Sequence, residues 1–342
     1  QLFIRHIGLS PKQYQLYEQI LFAKQLLQHT QLPVDHVADA AGFNDARRLQ
    51  YNMQRVMRRT PKELRIKPTD LLQPIVIPLA YRPPYNWPQL RDFLARRAIK
   101  DCEWLDDTSY SRSILLNGSR GYFHAQHQPH KHRFIVTLSL DNLHQLKPAL
   151  HNIRRILDLD ADSMTIDKQL IQSGLSNEHI TPGMRIPGVW DTFEAGCRAI
   201  LGQQISVTAA INLATKLVAV LGQLIPLAPE KSPLISRYFP TAEAIANSDL
   251  SFLGMPNSRR ETLRRFASFY QQQPDAPPDD WLSLKGIGPW TVAYANLRGQ
   301  SQADIWLSSD LVIKKQLLLH SIEADKACPW RSYLTFTLWS LA

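Results

Sequence analysis

The apolar periodicity changes character along the chain, and that change limits the folds open to it. Runs of strand type occur at residues 75–79, 111–116, 121–126 and 133–140. Helical periodicity at 87–98 and 146–157 accompanies them, so this stretch reads as α+β with an antiparallel sheet. From Met184 onward strand patterns vanish and helical stripes follow one another at 190–201, 207–221, 242–246, 259–270, 290–297, 312–319 and 331–341. A chain of 342 residues is long enough for two or three domains. The expectation is a multidomain α and α+β protein: an N-terminal helix-turn-helix segment over residues 1–68, a small antiparallel-sheet α+β domain over 74–183 and an all-helical domain over 184–342. No apolar run reaches 18 residues, so no membrane-spanning helix is expected.

Charge points to a partner. Lys and Arg number 39 against 30 Asp and Glu, a net +9, and residues 1–70 alone hold 11 basic and 6 acidic residues, +5 of that total. A basic chain suggests a polyanion without specifying it. Tyr14, Tyr17, Ile20, Leu21, Ala23, Leu26 and Leu27 form a helical stripe over 12–28. After Pro33, the positions Val34, Val37, Ala38 and Ala41 make a short apolar face that stops at Gly42, a residue suited to a left-handed turn. The next helix, 44–58, is read with Arg47, Arg48, Gln50, Asn52 and Arg55 on its exposed side, types that reach phosphates and base edges in a major groove. Arg47, Arg48 and Asn52 are the candidate DNA contacts, although a plain solvated helical hairpin has the same periodicity.

Leu32-Pro33-Val34, Val37-Ala38, Ala41-Gly42-Phe43 and Arg59-Thr60-Pro61-x-Glu63-Leu64-Arg65 resemble the second helix-turn-helix of AraC-type regulators. Residues 2–11 resemble only the tail of such a module's first recognition helix, so the first unit reads as truncated. A linker is expected over 67–73, around Pro68. Residue 1 is Gln and no apolar leader follows, so the chain reads as a fragment without a signal peptide. Cys102, Cys197 and Cys328 lie far apart with no CxxC pair, which argues for a reducing, cytoplasmic setting and against a disulfide framework or a zinc or iron–sulfur site. His124, His127, His130 and His132 cluster near a strand turn, where a solvated polar loop is expected in preference to a metal site.

The chemistry is expected in the helical part. Leu282-Ser283-Leu284-Lys285-Gly286-Ile287-Gly288-Pro289-Trp290-Thr291 places a Gly-hydrophobic-Gly hairpin between two helices. Glycines there let the backbone approach a phosphate, and amides at the following helix N-terminus bind it without reading sequence. A simple helical connector has the same pattern. Asp310 follows 20 residues after Trp290, at the start of a helix running through Ile313 and Leu317, where a helix cap is its ordinary role.

Hairpin and aspartate together resemble the helix-hairpin-helix glycosylase superfamily. Arg185-Ile186-Pro187-Gly188, Trp190-Asp191-x-Phe193-Glu194, Arg198-Ala199-Ile200-Leu201-Gly202-Gln203, Ser206-Val207, Leu253-Gly254-Met255-Pro256 and Pro329-Trp330-Arg331-Ser332-Tyr333 resemble the inducible bacterial 3-methyladenine-DNA glycosylases II. The similarity runs from Tyr81-Arg82-Pro83-Pro84-Tyr85-Asn86-Trp87 nearly to the last residue. The resemblance implies a monofunctional hydrolase that flips alkylated purines of the 3-methyladenine and 7-methylguanine type out of duplex DNA and excises them in base-excision repair. It implies Asp310 as the catalytic carboxylate, since bond cleavage builds positive charge on the sugar. It also implies a base pocket of Phe93, Trp290, Tyr294 and Trp339, suited to a cationic base, and DNA backbone contacts at Gly286, Gly288 and Thr291. Lyase-competent members of the superfamily carry a lysine where this chain has Trp290, and without an amine no Schiff base forms. Gln204 stands where the family inserts an aliphatic wedge into the base stack, and Leu311 where it has an aromatic. No cofactor is implied beyond a structural sodium or potassium ion on the backbone carbonyls of Leu282, Leu284 and Ile287. The partner is double-stranded DNA containing alkylated bases, met by a monomer. The alternative is an AraC-type transcription regulator of the alkylation response whose glycosylase-like part only binds DNA.

Overall fold

The computed structural model describes residues 2–65, 74–226 and 234–341. The linker expected over 67–73 lies outside the described residues. No helix among the described residues is long and apolar enough to cross a membrane. The chain forms two compact units, the first made of Gln1–Leu79, Ile114–Gln126 and Phe134–His151, the second of Ala80–Ser113, His127–Arg133 and Asn152–Ala342.

The first unit begins with α1 (Leu2–Ile7), α2 (Pro11–His29), α3 (Val34–Ala40), α4 (Ala46–Met57) and α5 (Pro61–Leu64). α2 starts from a capping box in which the Ser10 hydroxyl accepts the Gln13 amide and the Gln13 side chain accepts the Ser10 amide. Gly42, at φ +78°, makes the expected left-handed turn between α3 and α4. Ile20, Ala23, Leu26, Val37, Ala38, Leu49 and Met53 are buried in this unit. In the same unit α3 packs on the 3-10 turn Leu143–Gln145, where His144 Nε2 lies 2.7 Å from the Asp39 carboxylate.

Asn52 requires a correction. It is 8% exposed, and its side-chain amide donates to the Arg48 carbonyl at 2.8 Å, so it faces inward. It falls on the stripe of Leu49 and Met53, the three buried residues of α4. The exposed residues of that helix include Arg47, Arg48, Gln50, Tyr51, Gln54 and Arg55.

Five strands, β1 (Ile75–Ala80), β2 (Glu103–Leu105), β3 (Ser109–Leu116), β4 (Ser119–Gln128) and β5 (Arg133–Leu140), form one sheet in the order β1-β5-β4-β3-β2. β2 and β3 run antiparallel with Glu103 opposite Arg112. Asn117 at φ 49° and Gly118 at φ 77° make the two-residue turn joining β3 to β4, the left-handed pair that matches strand twist. His124 is in β4 rather than in a solvated loop, and His127 is half-buried, its Nε2 2.9 Å from the Tyr81 hydroxyl. Burial pushes the His127 imidazole down to about 4, so the ring is neutral at physiological pH. Among the described residues no three His, Cys, Asp or Glu side chains come together to hold a metal ion.

After α6 (Trp87–Ala95), α7 (Leu146–Ile156) and α8 (Ser163–Gln172) come α9 (Thr192–Leu201), α10 (Val207–Leu221), α11 (Ala242–Ala246), α12 (Asn257–Gln272), α13 (Pro289–Gly299), α14 (Leu311–Leu319) and α15 (Arg331–Ser340). The region after Met184 is helical, with only the isolated bridges of Ile235 to Asp101 and of Leu224 to Arg237 among the described residues. In the second unit, one core gathers Phe193, Leu217, Leu263, Phe266 and Trp281, and another gathers Phe93, Ile186, Leu297, Ile313 and Phe336. α9 and α13 meet closely because a Cβ at Gly299 would come within 2.9 Å of the Thr192 Cα.

Candidate active site

A chain that turns helix after helix exposes helix ends, and the second unit aims two of them at one region. Asp310 caps α14: its Oδ1 accepts the backbone amides of Val312 at 3.0 Å and Ile313 at 3.2 Å. The expected cap is therefore real, and the carboxylate does more. Oδ1 also accepts the Trp339 indole N–H at 3.3 Å, and Oδ2 accepts that of Trp290 at 3.2 Å. Four donors fix one carboxylate, with a single one on Oδ2, so an acceptor site remains on that oxygen.

Asp310 borders a cavity of about 770 Å³, and Phe93, Trp290, Tyr294 and Trp339 line it too. The catalytic candidate and all four aromatic candidates thus share one wall. Trp290 and Tyr294 stack with ring centroids 5.2 Å apart and planes at 22°. Phe336 stands edge-on to both Phe93, at 5.3 Å, and Trp339, at 5.1 Å. A cavity of this volume with four aromatic side chains in its wall suits a planar ligand.

Sequence reading missed the arginines. The Arg97 guanidinium lies 3.7 Å from the Phe93 ring centroid and lines the cavity, so Phe93 already has a cation on its face. Burial, with Arg298 nearby, pulls Arg97 down to about 10, still charged at neutral pH. Arg298 is buried, donates to the Tyr294 hydroxyl at 3.1 Å and to the Pro187 carbonyl, and sits 4.8 Å from the Phe93 centroid. It holds two pocket rings from behind. Arg198, also on the cavity wall, is neutralised by Glu194 at 2.6 Å and by Glu103; burial disfavours its charge, but these two carboxylates outweigh it and hold the guanidinium above its usual range. Arg112 closes this buried cluster through Glu194 at 2.6 Å and Glu103 at 3.3 Å. Arg112 and Glu194 lie 82 positions apart in sequence, beyond the reach of any local pattern.

The hairpin leads into α13. Gly286 has φ +97°, and a Cβ there would lie 2.1 Å from the Thr262 hydroxyl, so both backbone and packing demand glycine. Gly288 is the N-cap of α13, and nothing lies within 4 Å of where its Cβ would be, which leaves the backbone open to close approach. Thr291, expected to touch the DNA backbone, requires a correction: it is buried, its amide donating to the Gly288 carbonyl at 3.0 Å and its hydroxyl accepting from Gln203 Nε2 at 3.4 Å. Of the three carbonyls expected to hold an ion, that of Leu284 accepts the Ile287 amide at 3.0 Å. Gln204 is exposed at φ +59° in the turn between α9 and α10. Leu311 is 80% exposed and Val312, not Leu311, lines the cavity.

Comparison with known proteins bears on the family and the fold. Residues 76–191 match the AlkA N-terminal domain, and residues 1–67 a helix-turn-helix domain. The DNA-3-methyladenine glycosylase 2 of Escherichia coli is 32% identical over 76% of this chain and 95% of its own length. The chain belongs to the DNA-3-methyladenine glycosylase 2 family. A relative from Mycobacterium tuberculosis, named a probable bifunctional transcriptional activator/DNA repair enzyme AlkA, is 29% identical over 98% of this chain and 72% of its own length. In that relative the match extends through the helix-turn-helix segment as well as the glycosylase part. The fold is also that of the 3-methyladenine DNA-glycosylase from Archaeoglobus fulgidus, with a TM-score of 0.63 at 17% identity over 77% of this chain and 96% of that one. A Clostridium acetobutylicum 8-oxoguanine glycosylase/lyase solved with double-stranded DNA aligns with a TM-score of 0.51 at 13% identity, covering 71% of this chain and 98% of that one.

Proposed function

We propose that this DNA glycosylase is monofunctional: it draws an alkylated purine of the 3-methyladenine or 7-methylguanine type out of duplex DNA into the aromatic cavity and hydrolyses its N-glycosidic bond. The observation that carries the reading is Asp310, fixed by two backbone amides and two indoles at the wall of a cavity lined by Trp290, Tyr294 and Trp339. The glycosidic electron pair leaves with the base, so a base that is cationic when bound departs neutral. Water adds its oxygen to the sugar C1′ and gives up a proton. Asp310 faces the positive charge that develops on the sugar, and its Oδ2 has the remaining acceptor site for that water. The stacked Trp290 and Tyr294 attract a cationic ring through their π faces.

The roles divide among the segments. Residues 184–342 carry the catalytic and hairpin residues, 74–183 contribute Phe93 and Arg97 beside it, and 1–68 supply a second DNA contact through Arg47 and Arg48 on the exposed side of α4. Gln204 fills the gap in the base stack, and Gly286 and Gly288 hold a phosphate, while Thr291, buried and with its amide donating to the Gly288 carbonyl, steadies the hairpin without reaching the phosphate itself. The carbonyls of Leu282, Leu284 and Ile287 are the groups that would hold a sodium or potassium ion, and the Leu284 oxygen, which accepts the Ile287 amide, has a second lone pair for it. Bound there, the ion would add positive charge to the hairpin that meets the phosphate. The partner is double-stranded DNA containing alkylated bases, and the protein works as a monomer. A purely regulatory protein would have no use for a fixed carboxylate at an aromatic cavity, which favours the enzyme over the AraC-type regulator.

Borohydride trapping tests the monofunctional assignment, since among the described residues the cavity wall next to Asp310 offers Trp290 and no lysine. The expected product is an intact, alkali-labile abasic strand with no adduct. A covalent protein–DNA adduct that depends on one lysine overturns it.

A further inference from the structure

Gln203 sits in the turn between α9 and α10, one residue before Gln204 and beside Gly202 of the cavity wall. Its side chain leaves its own loop: Nε2 donates to the Gly286 carbonyl at 3.0 Å and to the Thr291 hydroxyl at 3.4 Å. Both acceptors belong to the other DNA-facing element, Gly286 to the hairpin and Thr291 to the first turn of α13. The ends of the turn are pinned by the helices, with the Gly202 amide donating to the Arg198 carbonyl at 3.0 Å and the Ser206 hydroxyl accepting the Ala209 amide at 3.2 Å. Gln203 adds a tie in the middle.

The residue it precedes needs one. Gln204 is exposed and held at φ +59°, a left-handed conformation that residues other than glycine keep only where their surroundings impose it. A side chain that must enter a base stack gains from being held at one height and angle before DNA arrives, because the ordering cost is then met in the folded protein.

We propose that Gln203 is a positioning residue that couples the phosphate-gripping hairpin to the Gln204 loop, so that seating a phosphate on Gly286 and Gly288 sets the height at which Gln204 enters the stack. This rests on the reading of Gln204 as the stack-filling residue given above. The coupling is polar and short, and it ends on groups the hairpin fixes: Gly286 by its left-handed backbone against Thr262, and Thr291 by burial. Gln203 itself need not touch the reacting atoms.

The coupling makes a specific kind of defect. Filling the gap matters most when the lesion must be pulled from a stable pair, and least when the base is already unpaired. The test is single-turnover excision of 7-methylguanine from two duplexes, one with the lesion paired to cytosine and one with it in a single-nucleotide bulge. Gln203→Met keeps the length and removes the donor; Gln203→Asn keeps the donor and cannot reach, and serves where the first variant folds poorly. Both should slow excision from the paired duplex about five- to tenfold, the worth of one hydrogen bond, and stay within about twofold of wild type on the bulge. On a Gln204→Ala background, which should itself be slow only on the paired duplex, Gln203→Met should add nothing further. If Gln204→Ala is selective for the paired substrate and the Gln203 variants slow both substrates equally, or neither, the coupling is overturned while the stack-filling reading stands. If Gln204→Ala shows no such selectivity, that reading falls and takes the coupling with it.

Discussion

Asp45 and Asp310 open helices in the same way. Asp45 accepts the Arg48 amide at 2.7 Å to start α4, and Asp310 accepts the Val312 and Ile313 amides to start α14. Their surroundings differ. Asp45 is exposed, whereas Asp310 also accepts two indoles and borders a cavity of about 770 Å³. A third capping aspartate, Asp191, starts α9 by accepting the Glu194 amide at 2.7 Å and is partly buried, and desolvation and then the neighbouring Glu194 charge push it up to about 6. One backbone role therefore accompanies three electrostatic situations, and only the surroundings tell a cap from a functional carboxylate.

Asparagine caps helices as well as aspartate does, which gives the comparison its sharpest edge. Asp310→Asn should lower the single-turnover excision rate by about a hundredfold to a thousandfold while the binding isotherm on lesion DNA and the thermal midpoint hold, because the missing charge acts on the developing cation. Asp45→Asn should leave both excision and stability unchanged. Full activity in Asp310→Asn would reduce that residue to a second Asp45. Next in size, Trp290→Ala removes both a stacking face and a donor to Asp310, and should cost about tenfold to a hundredfold in kcat/KM on an alkylated duplex. An effect no larger than that of an exposed-residue control would place the base elsewhere.

The helix that Asp45 caps should matter for affinity rather than chemistry. Arg47→Ala with Arg48→Ala should make log affinity against log salt shallower by about 0.9 for each phosphate that these arginines neutralise, with excision at saturating enzyme unchanged. An unaltered slope would mean that this face of α4 meets another partner. Point substitutions suit this better than deletion of residues 1–70, since α3 is packed on the Leu143–Gln145 turn within the same unit. The smallest effect concerns Asp191. Its folded pKa is raised, so this group binds its proton more tightly in the folded state between about pH 4 and 6, and its contribution to stability falls as pH rises across that window. Asp191→Asn keeps the cap and should flatten that fall in urea titrations run at pH 4, 5 and 6. A variant curve with the same slope as wild type would show that Asp191 does not titrate differently on folding.

Much of the helical unit is legible in the sequence because its apolar stripes are long: 207–221 matches α10, and 290–297 lies within α13. Short elements are not, since three residues such as β2 give no period to count. On α4, side-chain type and spacing give opposite answers for Asn52, and spacing prevails. Leu49, Asn52 and Met53 stand at i, i+3 and i+4, which marks one buried stripe whatever their polarity. At the site, motif resemblance points to Asp310 and the aromatic set, while Arg97 and Arg298 leave no such mark, and Arg198, though it opens a family motif, shows no role there, because these roles depend on partners brought together by the fold, as with Arg198 and Glu103. Gln203 lies inside a motif of the family, yet its bond to Gly286 spans 83 positions and no sequence pattern announces it.

The most direct test of the central claim is to incubate the wild-type protein with methylated duplex DNA and resolve the released material by chromatography. Free 3-methyladenine and 7-methylguanine, appearing together with uncleaved abasic strands, are the predicted result. DNA bound tightly with no base released would contradict it and leave the cavity a binding site only.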